Sequence, residues 1–207
     1  MQDKPAEGLD MESVNPSDHF KKYSQEISRL LAVMDWSVAE QLARELLQCW
    51  KTGHQVFLAG NGGSAGNANH IANDFLYPIS KKIGSGIRMH SLSSNPAVLS
   101  CLANDLGFDQ IYACQLAVQA RAGDMLIVFS GSGNSANILN ALEEAHRQGL
   151  KSYAVVGFDG GKAKSLADMC VHFPVHDMQI AEDTQIILFH MIVQWLYAQR
   201  DTVHISS

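Results

Sequence analysis

The stretch Val56-Phe-Leu-Ala-Gly-Asn-Gly-Gly-Ser64 runs without a gap into Ala65-Gly-Asn-Ala-Asn-His70-Ile-Ala-Asn-Asp74. A short apolar run, a glycine-rich turn and a helix-like segment follow one another directly. That order gathers backbone N–H groups and a helix N-terminus at one spot, which is how a chain meets an anion. A second unit of the same build opens at Met125-Leu-Ile-Val-Phe-Ser130-Gly-Ser-Gly-Asn-Ser135. Two such units point to a sheet whose strands end in ligand-binding turns.

Strand and helix patterns alternate through the rest of the chain. Strands are expected near 55–59, 87–91, 124–129, 152–157 and 170–174, and helices at 64–76, 96–104, 110–120, 134–148, 161–167 and 178–199. Most of these strands are continuous apolar runs, such as Leu126-Ile-Val-Phe and Tyr153-Ala-Val-Val. Strands of that kind lie in a parallel sheet covered by helices on both faces. The expected fold is α/β, a doubly wound α/β/α sandwich with a five-stranded parallel sheet, its ligand beyond the carboxyl ends of the strands. Ahead of it, residues 1–16 read as a flexible tail and 17–53 as an N-terminal helical hairpin. Its helices run from Asp18 to about Leu31, capped by Ser17 or Asp18, and from Ser37 to Trp50, ended by Gly53. The α/β domain occupies 54–200, as one structural unit with the hairpin.

A length of 207 residues suits one domain, and a net charge of −6 without a basic block argues against a nucleic-acid partner. Cys49, Cys101, Cys114 and Cys170 are scattered and form no C-x-x-C pair, so they read as buried thiols of a cytoplasmic protein. Residues 1–16 are polar and carry Pro5 and Pro16, so no signal peptide is expected there. The most apolar segment, Ile186 to Leu196, is too short and too interrupted to span a bilayer. A membrane partner is not expected.

Gly60-Asn-Gly62-Gly-Ser-Ala65 also fits the dinucleotide pattern G-x-G-x-x-A. That site wants an acidic residue at the end of the next strand, and Ile87-Arg-Met-His-Ser-Leu has none. A lone loop of this kind is also compatible with a plain strand–helix turn. The second loop decides the matter, because Ser130, Ser132 and Ser135 place three hydroxyls among glycines at a helix start. Rotatable donors beside free N–H groups suit a phosphate and the hydroxyls of an open-chain sugar. The expected ligand is a small phosphosugar.

His70 and Asp74 stand at i, i+4 and so point the same way, as a surface pair, two metal ligands, or an acid and a base. His190 interrupts the most apolar helix, between Phe189 and Met191. A buried imidazole there needs a partner, either a backbone carbonyl or a functional group. Glu182 lies eight residues earlier on roughly the same face, about 12 Å away on a straight helix. The two could meet at one metal only through a bent first turn or from different subunits. Asn104-Asp105, followed by Gly107, reads as a helix end or as a pair recognising hydroxyls.

Together these motifs resemble one family. Gly60-Asn-Gly-Gly-Ser64, His70, Asn104-Asp105-Leu-Gly-Phe108, Ser130-Gly-Ser-Gly-Asn-Ser-Ala-Asn137, Asp159-Gly-Gly-Lys162 and the late His190 are similar to those of the phosphoheptose isomerases. These are sugar-isomerase (SIS) domain enzymes that convert sedoheptulose 7-phosphate to D-glycero-D-manno-heptose 7-phosphate. The resemblance covers about residues 18–198 and implies a SIS sandwich in a homotetramer with active sites between subunits. It also implies phosphosugar contacts at Asn61, Gly62, Gly63, Ser64, Asn104, Asp105, Ser130, Gly131, Ser132, Ser135 and Glu182. One Zn²⁺ per subunit is implied at His70, Asp74, Glu182 and His190, with Asp74 and His190 as the catalytic proton-transfer pair.

The chain departs from the family at several of these positions. Asp74 stands where the family has Glu, Glu182 where it has Gln, and Ser130-Gly-Ser132 where it has Ser-Thr-Ser. Leu76-Tyr-Pro-Ile replaces a stretch that often carries an arginine, for which Lys81, Lys82 or Arg88 would compensate. A non-catalytic SIS module, binding a phosphosugar or a replication initiator, is the competing expectation. The four ligand-type side chains favour an enzyme over it.

Overall fold

A computed structural model describes residues 15–77 and 86–203. Nearly all of the expected tail, together with Lys81 and Lys82, lies outside the described residues. The chain divides after Met34 into two units, so the division falls inside the expected hairpin.

The first unit holds α1 (Pro16–Val33), whose cap is Asn15 rather than Ser17 or Asp18. The Asn15 Oδ1 accepts from Ser17 N at 2.9 Å, and Pro16 fills the first helical position, where a missing N–H costs nothing.

The second unit begins with α2 (Ser37–Thr52), which ends as expected on Gly53 at φ +74°. There follow β1 (Val56–Gly60), α3 (Gly63–Leu76), β2 (Met89–Ser91), α4 (Pro96–Asp105), α5 (Ala113–Gln119), β3 (Met125–Ser130) and α6 (Ala136–Gln148). The chain continues through β4 (Lys151–Val156), α7 (Ala163–Leu166), β5 (Met169–His172) and α8 (Met178–Gln199). All five strands are parallel, in the order β2-β1-β3-β4-β5. Every residue of β1 and β3 is buried, as their unbroken apolar runs require. Alternate side chains serve opposite faces. Phe57, Leu126, Val128 and Ala154 join Leu116 of α5 and Ile138 and Leu142 of α6 in one core. Phe129 points the other way, onto Phe189 of α8 at 5.3 Å, and Phe189 meets Phe75 of α3 at 5.8 Å.

This order reverses direction between β1 and β3, because β2 lies outside β1 on one side and β4 outside β3 on the other. Crevices form at such a switch point, beyond the carboxyl ends of the two strands. The two glycine-serine loops are the segments that follow β1 and β3. Elsewhere the differences are local. The helix expected over 110–120 splits into a short 3₁₀ turn at Phe108–Gln110 and α5. The one expected over 161–167 shrinks to Ala163–Leu166, since Gly160 and Gly161 take φ +87° and +56°. Of the four cysteines, only Cys49 is buried; Cys101 is exposed, and Cys114 and Cys170 are half-buried. No helix among the described residues is long and apolar enough to cross a membrane.

Candidate active site

The loop after β1 turns into α3 through Gly62, at φ +55° and ψ −123°, a conformation open to glycine and hardly to any other residue. This turn brings the Gly63 and Ser64 N–H groups to the crevice as the first donors of α3. Asn61 is held from behind. Its Nδ2 donates to Asn137 Oδ1 at 2.8 Å, and its Oδ1 accepts from Asn137 Nδ2 at 2.9 Å. The Tyr112 hydroxyl stands 3.2 Å from the same Oδ1 and also reaches the Gly60 carbonyl. Burial pushes that phenol's pKa up, which keeps it neutral and a donor.

In the loop after β3, Ser130 Oγ accepts from Gly133 N at 3.0 Å and Ser132 Oγ from Asn134 N at 3.3 Å. Both hydroxyls take part as acceptors, so their hydrogens remain to be donated outward. Ser135 is the N-cap of α6, yet its side chain makes no capping bond. The loop rests on the turn after β4, where Ala163 N donates to Gly133 O at 2.9 Å and Lys162 N to Asn134 Oδ1 at 3.1 Å.

The two loops face one cleft of about 280 Å³, lined by Asn61, Gly62, Gly63, Ser64, Ser130, Gly131, Ser132 and Ser135 with Phe129, Met178 and Glu182. Nine of the residues expected to touch the ligand therefore lie together. The Glu182 carboxyl sits directly over Gly63, where a Cβ would collide with it, and the Met178 thioether lies over Gly131 in the same manner. Asn104 and Asp105 are elsewhere, at the exposed end of α4, where Asn104 Nδ2 donates to Asp105 Oδ1 at 2.7 Å. Among the residues lining the cleft there is no cation.

A second group lies farther along the same two helices. His70 Nε2 and His190 Nε2 are 3.1 Å apart, and Asp74 Oδ2 is 3.3 Å from the first and 3.5 Å from the second. Zn–N and Zn–O bonds of about 2.0–2.1 Å place tetrahedral ligands about 3.3–3.4 Å from one another, so these three atoms match three corners of such a site. Two imidazole nitrogens face to face also require a shared proton or a cation between them. The His190 side chain is 45% exposed, not buried as its apolar neighbours implied: it lies against the polar His70 and Asp74 of α3 and not against core side chains. Glu182 is not in this group among the described residues. The helix α8 is continuous, and eight residues of it separate Glu182 from His190 by about 12 Å.

The SIS domain profile matches residues 19–157. This chain belongs to the SIS domain family. Within that family, a phosphoheptose isomerase from Chlorobaculum tepidum is 35% identical over 174 residues, 83% of this chain and 83% of the relative. One from Aneurinibacillus thermoaerophilus is 33% identical over 153 residues, 74% of this chain and 77% of the relative. The solved phosphoheptose isomerase from Neisseria gonorrhoeae superposes with a TM-score of 0.79 at 27% identity, over 88% of this chain and 96% of that one. The SIS sandwich expected from the sequence is the observed fold. Sequence reasoning overlooked Met178, which lines the cleft, and Tyr112, which holds Asn61; neither carries a motif of its own. Asn137 closes the quoted serine-rich motif, and its near-complete burial as a polar residue at a helix start is the signal that marks it.

Proposed function

We propose that this chain is a phosphoheptose isomerase, a cytoplasmic aldose–ketose isomerase converting sedoheptulose 7-phosphate to D-glycero-D-manno-heptose 7-phosphate. One observation carries the reading: α3 and α8 both line a hydroxyl-rich cleft and, about two turns on, hold two imidazoles and a carboxylate within 3.5 Å of one another. A phosphosugar-binding module needs the first feature and has no use for the second.

The phosphate belongs to the loop after β3. At the other loop the Glu182 carboxyl already faces the N-terminus of α3, and a second anion there would be repelled. Ser130, Ser132 and Ser135 donate to the phosphate oxygens beside the N-terminus of α6. Glu182 and Ser64 remain for the sugar hydroxyls. Isomerisation removes a proton from C1, returns one to C2 and moves another between the two oxygens. Asp74 Oδ2 faces both imidazoles, while its Oδ1 has among the described residues only a 3.3 Å bond from Asn73 and is the oxygen left to take the C1 proton. His190 then protonates the carbonyl oxygen, which gives the enediol. The His70, Asp74 and His190 set would hold Zn²⁺, which supplies carbonyl polarisation when bound.

Glu182 and Asn104-Asp105 stand away from the trio, and Leu76 and Met191 near it are 56% and 46% exposed. These features support a homotetramer in which one copy's trio completes another copy's cleft, with Glu182 as the fourth ligand.

The test is direct. The purified protein incubated with sedoheptulose 7-phosphate should yield the aldose, and His190→Ala should lower turnover at least a thousandfold without unfolding the protein. A chelator should lower it too, with recovery on adding Zn²⁺. A wild-type protein that binds the heptulose without converting it would leave only the binding module.

A further inference from the structure

Behind the cleft, α3 and α8 are joined by a chain of amides. Gln185 is 1% exposed, and Ser64, which lines the cleft, is 3% exposed. Asn67 Nδ2 lies 2.9 Å from the backbone oxygen of Glu182 and 2.9 Å from Gln185 Oε1. A backbone oxygen can only accept, so the Asn67 atom facing it must be the amide nitrogen. That nitrogen gives its two hydrogens to Glu182 O and to Gln185, and Gln185 must answer with its oxygen. The Gln185 nitrogen is then the atom 3.2 Å from Ser64 Oγ. Ser64 Oγ accepts this bond, and its own hydrogen has no acceptor among the described residues.

We infer that Gln185 is a positioning residue: through Asn67 it holds the Ser64 hydroxyl as a donor aimed at the substrate. The polarity is dictated by one backbone carbonyl and passed along three side chains. Ser64 thereby becomes the donor beside the Glu182 carboxyl, an acceptor lying over the adjacent Gly63. A sugar hydroxyl both accepts and donates, so this pair reads one, whereas an ether satisfies only the donor and a deoxy position neither member. The inference rests on the isomerase reading for its substrate, a polyhydroxylated open-chain sugar phosphate, and not for its geometry.

Gln185→Glu keeps the shape and replaces the donor with an acceptor, so the Ser64 hydrogen turns inward. This variant and Ser64→Ala should each raise KM for sedoheptulose 7-phosphate about tenfold with kcat within about twofold, the size of one lost hydrogen bond. The double variant should be no worse than Ser64→Ala alone. Losses that multiply would mean that Gln185 acts independently of Ser64, and they overturn the inference. Gln185→Met, which cannot ionise in the core, repeats the cycle should the glutamate fail to fold, with the same two outcomes. Neutron diffraction from the deuterated wild-type protein reads the hydroxyl without any turnover. A hydroxyl deuterium bound to Ser64 Oγ and pointing into the cleft, with an amide deuterium of Gln185 Nε2 pointing at Oγ, supports the inference; a hydroxyl deuterium bound to Oγ and pointing at the Gln185 side chain overturns it. A protein that fails to isomerise the heptulose sinks the proposed function, while the neutron map still decides the role of Gln185.

Discussion

Gly63 and Glu182 meet closely at the cleft wall. A Cβ at position 63 would fall on the carboxyl group, which is the far end of a flexible side chain and can swing aside. Gly63→Ala should therefore cost less than about 1 kcal/mol of stability but raise KM, since the carboxylate must leave its place. Glu182→Ala should raise KM too, and adding it to Gly63→Ala should raise KM little further, because both changes take the same carboxylate out of place; urea melts and initial rates would read these effects. Glycine at this position was legible as part of a phosphate loop, but the reason for it was not. The sequence places Glu182 two turns before His190 and says nothing of which loop its side chain covers. The i, i+4 spacing of His70 and Asp74 did fix their common direction, and the structure brings them to 3.3 Å. For His190 the apolar neighbours indicated burial, and only the packing reveals that its ring is half exposed against the polar side chains of α3.

Among the elements, α8 joins cleft and trio, and its first turn sets the position of Met178 and Glu182. That turn is held by Asp177, whose Oδ1 accepts from Ile180 N at 3.0 Å. Asp177→Ala should cost about 1 kcal/mol of stability, as lost N-caps do. Because fraying starts at Met178, KM should rise more than kcat falls, a split that thermal melts and steady-state kinetics would resolve. The bounds of α8 match the expected 178–199, since a helix this apolar between an Asp cap and a polar end is hard to mistake. The strands were legible for a similar reason: unbroken runs such as Leu126-Ile-Val-Phe only suit a sheet buried on both faces. Shorter elements were less so. Gly160 and Gly161 look tolerable inside a helical pattern, but their positive φ angles serve the turn that supports the Ser132–Gly133 backbone. Which strands neighbour each other is a matter of non-local pairing, which no local pattern records.

On the scale of the whole molecule, the proposed site is divided between copies, because cleft and trio lie about 12 Å apart along one helix. A shared site makes a prediction that a self-contained one cannot. Ser132→Ala combined with Ser135→Ala destroys the phosphate loop and leaves the trio whole; His190→Ala does the reverse. Each protein alone should be nearly inactive. If every site takes its cleft from one copy and its trio from another, subunits mixed at random give an intact site whenever the cleft comes from the His190→Ala chain and the trio from the serine variant. Two independent choices of one half each return about a quarter of wild-type activity after joint unfolding and refolding of equal amounts. Activity should grow with mixing and vanish if the two variants are refolded apart and then combined below the exchange temperature. A self-contained site would give no recovery in either protocol, since each chain carries its own defect wherever it goes. Sedimentation of the mixture checks that hybrid assemblies have formed, so that an absence of activity speaks about the site and not about the mixing.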